Sequence, residues 1–247
     1  MDMTTQAKLL SPEGMYPFAG KMIKPFLAAA LIFVLCGLYT GFFVAPVDAT
    51  QGNSYRILYA HVPAAWMGMM LYVIMAVFCA VGSATGNRIW PMIASSIAPT
   101  GAMMTFLALW CGALWGRPTW GAYWVWDARL TSALILLFFY LGFIALENAI
   151  SDWRRSDKAC AVIGIVGLIN VPIVYFSVNW WNTLHQGASL TSQGSSIHPM
   201  MLTAMLLMVV GFCLYSVAAS FARLRSIILE REMGEEWTQN MAIKGEI

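Results

Sequence analysis

The chain has 247 residues, 60% of them hydrophobic and only 11% charged, with a formal net charge of +2. Soluble domains are about a quarter charged, so this balance, with a mean hydropathy of +0.68, excludes an ordinary water-soluble domain. The size of the net charge says little, whereas its placement says a great deal.

Six apolar runs follow one another, each near the roughly 20 residues that cross a bilayer core. They are Phe26–Val47, Val62–Val81, Trp90–Leu114, Leu130–Leu146, Ala159–Val178 and Met200–Phe221. The first is too long for a signal-peptide core of about 7–15 residues, and five more follow, so it reads as an uncleaved anchor. The expected fold is an all-α integral membrane protein, a single domain over residues 1–247 with six transmembrane helices. Tails at 1–24 and 223–247 flank it, and a Trp-rich segment, 115–132, joins helices three and four.

The second run opens with "SYRILYAHVPAAW". Pro63 suits the first turn of a helix, where its missing N–H costs nothing, which puts His61 at the helix mouth. Pro99 with Gly101 is expected to interrupt the third helix, since proline removes a helical hydrogen bond. Then comes "WGRPTWGAYWVWDARLTS", Trp115 to Ser132. Trp and Tyr ordinarily form belts at the membrane interface, and Trp66, Trp90, Trp110 and Trp153 fit that role. Trp115, Trp120, Trp124 and Trp126, with Tyr123 among them, exceed what a belt needs. Such a cluster suits a platform for a large, flat, mostly apolar ligand.

Further on, Glu147 ends the fourth run, and Asn170 with Pro172 is expected to interrupt the fifth. His185 lies in "NWWNTLHQG", read as a short helical stretch ended by Gly187, with Trp180 and Trp181 at the interface. His198, in "SIHPMM", follows the polar stretch 187–196 and reads as a solvated helix cap. Cysteines 36, 79, 111, 160 and 213 show no C-x-x-C or zinc spacing and read as packing residues, as do the 17 methionines. No Lys, Arg, Asp or Glu falls well inside a run, so no ion or proton relay is indicated.

Eleven of the 14 Lys and Arg residues, from Lys8 to Lys244, fall in the termini and even-numbered connections. Only Arg56, Arg117 and Arg129 fall in the odd ones. Basic residues collect on the cytoplasmic side, so both termini are expected there, with segments 48–61, 115–129 and 179–199 facing outward. All three histidines then sit at or near the outer face. Imidazole ligates iron through one ring nitrogen, and His61 and His185 flank the aromatic segment. Two imidazoles on opposite faces of a porphyrin would fill both axial positions. Trp115, Trp120, Trp124 and Trp126 would cover the ring, while Arg56 and Arg129 pair with its two carboxylates. Asp127 repels a carboxylate, so its expected work is to fix the segment by accepting hydrogen bonds from backbone N–H groups or an arginine.

The motif resembles the WWD segment of membrane heme-handling proteins. With "QGNSYRILYAHVPAAW" and "SVNWWNTLHQG", it resembles most closely the branch called CcmC, heme exporter protein C of cytochrome c maturation. Tyr123 stands where many relatives have the first of two adjacent tryptophans, and it keeps an aromatic face. The resemblance implies a non-enzymatic protein that holds heme b at the outer face of the bacterial cytoplasmic membrane. His61 and His185 match that family's axial-ligand positions. It also implies delivery of heme to the periplasmic chaperone CcmE, in company with the ATPase CcmA and the membrane subunits CcmB and CcmD. The chain has no G-x-x-x-x-G-K-[ST] motif, so any ATP hydrolysis belongs to a partner. An electron-transferring cytochrome b is the principal alternative, although its histidines would lie deep within the spans. Ligation of heme to apocytochrome, the work of longer relatives with more helices and histidines, is a further one.

Overall fold

The computed structural model describes residues 10–181, 183–185, 190–191 and 194–245. Lys8 and Gly187 lie outside them, as does part of the polar stretch 187–196. The helices are α1 (Pro12–Tyr39), α2 (Leu58–Thr85), α3 (Ile89–Trp120), α4 (Ala128–Ala149), α5 (Trp153–Gly167), α6 (Asn170–Trp180), α7 (Pro199–Arg231) and the short α8 (Glu236–Ile243). Between α6 and α7 the strands β1 (Leu190–Thr191) and β2 (Gly194–Ser195) pair antiparallel. Taking α5 and α6 as one broken span, the described residues hold six helices long and apolar enough to cross a membrane.

Most of these helices outrun the apolar runs because polar caps lie beyond the apolar stretch. Ser11 accepts from the Gly14 N–H at the start of α1, with Pro12 next in the first turn. Asp152 and Asp127 likewise cap α5 and α4. Residues 12–24 and 223–231, assigned to tails by hydropathy, are helical continuations of α1 and α7. A 3₁₀ turn, Asn53–Ile57, runs straight into α2, so Pro63 falls in the second turn and not the first.

Pro99 does not interrupt α3, which is continuous from Ile89 to Trp120. The glycine near it serves packing: a Cβ on Gly101 would run into the Tyr140 ring. Tyr140, fully buried, uses that space to donate to the Gly68 carbonyl at 2.8 Å. It also packs edge-on to Tyr72, with ring centroids 4.9 Å apart. These rings, with Met67, Met75, Leu136 and Phe143, form the main apolar core between α2, α3 and α4. The expected break in the fifth span is present at Leu168–Ile169. Beside it, the buried Asn170 side chain donates to the Ser132 carbonyl at 2.8 Å, tying the break to α4.

At the bundle end away from the Trp-rich segment, Arg231 is only 4% exposed. It donates to Asp157 at 2.8 Å and Glu147 at 3.2 Å, joining α7 to α5 and α4, and lies 4.6 Å from the Trp153 ring centroid.

Candidate functional site: a two-histidine aromatic cavity

Most of the Trp-rich segment is helix. The Thr119 hydroxyl donates to the Trp115 carbonyl at 2.7 Å, and α3 continues until Gly121 closes it with a left-handed φ of 79°. The connection proper is therefore 121–127. It ends where Asp127 Oδ1 accepts from the Leu130 N–H at 2.8 Å, capping α4. The backbone-accepting role expected for Asp127 is what the structure shows. His198 also does as expected, accepting from the Met200 N–H at 3.3 Å as the cap of α7.

A cavity of about 620 Å³ lies at this end of the bundle, framed by the starts of α2, α4 and α7 and the ends of α3 and α6. That volume is in the range of small-molecule and cofactor sites, roughly 300–1,000 Å³. His61, His185, Trp115, Trp120 and Arg129 all line it. A narrower apolar recess of about 60 Å³ adjoins it, sharing both histidines, Arg129 and Gly112.

Each histidine is braced by one tryptophan of the motif. The His61 ring packs edge-on to Trp115, centroids 5.6 Å apart, and Trp115 is fixed by donating Nε1–H to Gln51 at 2.7 Å. The His185 ring packs against Trp120 at 4.8 Å. His61 Nδ1 lies 2.9 Å from the Ala108 carbonyl. A carbonyl only accepts, so Nδ1 carries the proton and the lone pair is on Nε2. Gly112 makes this approach to α3 feasible, because a Cβ there would meet His61 Cε1 at 3.0 Å.

His185 lies on a bend, not on a helical stretch, since α6 ends at Trp180. Its backbone N–H bonds the Thr183 hydroxyl at 3.1 Å. Its Nδ1 stands 3.7 Å from Asp127 Oδ2. That distance would suit an ion pair with a charged imidazole, yet burial, followed by the Arg129 charge, pulls the His185 pKa down to about 4. Desolvation outweighs the carboxylate here, because the ring is largely buried and Asp127, at 3.7 Å, stands beyond a full-strength hydrogen bond. The imidazole is neutral at pH 7, the form that ligates metal.

Arg129 lines the cavity, and among the described residues no hydrogen bond or ion pair holds its guanidinium. Arg56 does not share this place. It donates to the Gly41 carbonyl and to Asn53, and lies over the Phe42 ring, outside the cavity wall. Trp124 and Trp126 are also outside the wall, packed edge-on against each other at 5.4 Å, with Trp126 76% exposed. Residues that sequence reasoning passed over also stand at the site, among them Gln51, Trp66, Tyr175 and Gly112. Trp66 fitted the interfacial belt, and no spacing rule distinguishes a Gln that locks an indole from any other loop residue.

Fold and site define a polytopic helical protein with a cavity at one end of the bundle that offers two imidazoles, indole faces and a guanidinium that no described residue holds. The family model described as "Heme exporter protein C" matches residues 5–239. The chain is 43% identical over 241 residues to "Heme exporter protein C" of Escherichia coli (strain K12), covering 97% of each. It is 40% identical over 232 residues to the Haemophilus influenzae protein of that name, covering 94% of each. A "Putative cytochrome c biosynthesis ccmC-like mitochondrial protein" of Marchantia polymorpha is 42% identical over 192 residues, 78% of this chain and 82% of that one. The chain belongs to the heme exporter protein C family, and it is a multi-pass membrane protein.

Proposed function

We propose that the protein binds heme in the cavity at the outer face of the bacterial cytoplasmic membrane and passes it to the periplasmic chaperone CcmE. The observation that carries this reading is the pairing of His61 and His185 in one cavity, each with Nδ1 turned to an acceptor. His61 and His185 would then hold a heme iron through their Nε2 atoms. Trp115 and Trp120 hold the imidazoles and give apolar faces to the ring, and Arg129 supplies a charge-assisted partner for a propionate. The residues present fit the group: a donor set of two imidazoles, flat apolar walls and a guanidinium that no described residue holds. Heme supplies the iron and two carboxylates; the protein supplies position, dry walls and the counter-charge. The eleven-to-three distribution of basic residues supports cytoplasmic termini and an outward-facing cavity. CcmA, CcmB and CcmD are the partners that the resemblance brings to this system, with ATP hydrolysis residing in CcmA.

The test is heme stoichiometry and the optical spectrum of purified protein, with transfer to CcmE, normalised to inserted chain. His61→Ala and His185→Ala should each change the ligand field and weaken retention, while His198→Ala should do little. Trp120→Phe should be mild and Trp120→Ala damaging. Arg129→Lys should lower retention because an ammonium cannot form the bidentate fork. Wild-type spectra and full heme content in both histidine variants would overturn the ligation.

A further inference from the structure

Two buried polar atoms at the site lack a hydrogen-bond partner among the described residues: His185 Nδ1 and Asp127 Oδ2. They face each other at 3.7 Å. Buried polar groups without partners are uncommon and call for a reason. The Asp127 side chain is not free to wander, because its other oxygen caps α4 through the Leu130 N–H at 2.8 Å. His185 is equally confined, by Trp120 against its ring at 4.8 Å and by its backbone bond to Thr183. The gap is longer than a hydrogen bond, but a shift of about 1 Å closes it to the charge-assisted length of roughly 2.7–2.9 Å.

We propose that Asp127 is a positioning residue for iron ligation, accepting the Nδ1–H of His185 when heme binds and so fixing that imidazole with Nε2 toward the iron. This rests on the reading of His185 as a heme ligand. A metal-bound histidine commonly donates its other N–H to a carboxylate or carbonyl, which sets the tautomer and raises ligand basicity. Here the two ligands differ in kind. His61 is backed by the neutral Ala108 carbonyl at 2.9 Å, whereas His185 is backed by a carboxylate. His185 is therefore the stronger donor of the pair and the one that stabilises ferric over ferrous heme. The aspartate of the Trp-rich segment thus does two jobs with its two oxygens, starting α4 with one and setting the iron's environment with the other.

The helix cap and the ligand-backing role separate cleanly. Ser and Asn are both good N-caps, so Asp127→Ser and Asp127→Asn each keep an oxygen for the Leu130 N–H. The serine side chain is too short to reach His185. The amide of Asp127→Asn, with its oxygen on the cap, turns an N–H₂ donor toward Nδ1. That favours the opposite tautomer, with the proton on Nε2, where it blocks the iron bond. The experiment loads the purified full chain with hemin and measures low-spin fraction, ferric-heme affinity and the ferric/ferrous midpoint potential. Asp127→Ser should raise the potential and weaken ferric binding about tenfold or more, in line with other losses of a ligand-backing group. Asp127→Asn should be worse than Asp127→Ser, with a high-spin fraction appearing, and in a His185→Ala background Asp127→Ser should leave the potential unchanged.

Equal, wild-type potentials and spectra in both aspartate variants, with His185→Ala still altering the spectrum, would overturn this inference alone. A wild-type spectrum in His185→Ala would instead overturn the ligation on which it rests. If Asp127→Asn does not insert, the potential of Asp127→Ser decides the matter by itself.

Discussion

Gly112→Ala gives a direct test of the cavity geometry. The added Cβ would sit 3.0 Å from His61 Cε1 and 3.4 Å from Nδ1. Carbon contacts settle at about 3.5–4.0 Å, so the ring must retreat by about half an ångström. That retreat stretches the 2.9 Å bond from Nδ1 to the Ala108 carbonyl toward the limit of a hydrogen bond. A neutral hydrogen bond contributes about 1 kcal/mol net, which is about fivefold in heme affinity. The same substitution favours the helix, because Ala exceeds Gly by about 1 kcal/mol in helix interiors. The stretched bond belongs to the heme-free form too, so the two effects on its stability offset, and stability should hold while heme affinity falls, which a general folding defect cannot produce. Hemin titration of purified protein, alongside thermal melting of the heme-free form, reads both. Unchanged affinity and an unchanged ferric spectrum in Gly112→Ala would refute the packing of His61 against α3.

The remaining predictions concern charge. Burial and the Arg129 charge depress the His185 pKa to about 4 from an ordinary value near 6.5, so between those values the unfolded chain binds the extra proton and the folded one does not. The stability that His185 contributes to the heme-free protein should be full above pH 6.5 and fall as pH drops toward 4, by at most about 3 kcal/mol. Melting from pH 7 to 4.5 checks this, and a His185→Gln variant with the same pH slope would contradict it. At the opposite end of the bundle, Arg231→Met leaves Glu147 and Asp157 without their shared cation, and breaking a buried pair costs about 3–5 kcal/mol. Denaturation in detergent should show that loss and its partial recovery when Asp157→Asn is added; heme affinity per folded molecule should stay unchanged.

The six spans were legible in the sequence because the bilayer imposes one requirement, a long run of apolar residues, and composition alone reports it. The break before Asn170 was legible for a similar reason, since Pro172 removes a backbone donor wherever it stands. Pro99 makes the contrasting case: the same residue type leaves α3 continuous, and only the neighbouring Tyr140 explains why Gly101 follows it. Residue chemistry likewise brought His61, His185, Trp115, Trp120 and Arg129 forward as candidates, because imidazoles, indoles and guanidinium groups have distinct partners. Position within the segment did not separate Trp120 from Trp126, nor Arg129 from Arg56, since both members of each pair are of one type and near each other or the same interface. The tertiary structure separated them by where α3 stops and α4 starts: the helical continuation to Trp120 turns that ring onto His185, and the connection after Gly121 carries Trp126 out to 76% exposure. The sequence by itself determined a six-span chain whose connecting segments hold histidines among aromatics. Which of those side chains share a cavity, and that Asp127 faces the back of His185, depended on contacts between residues far apart in the chain, and no local pattern encodes the distance between two helices.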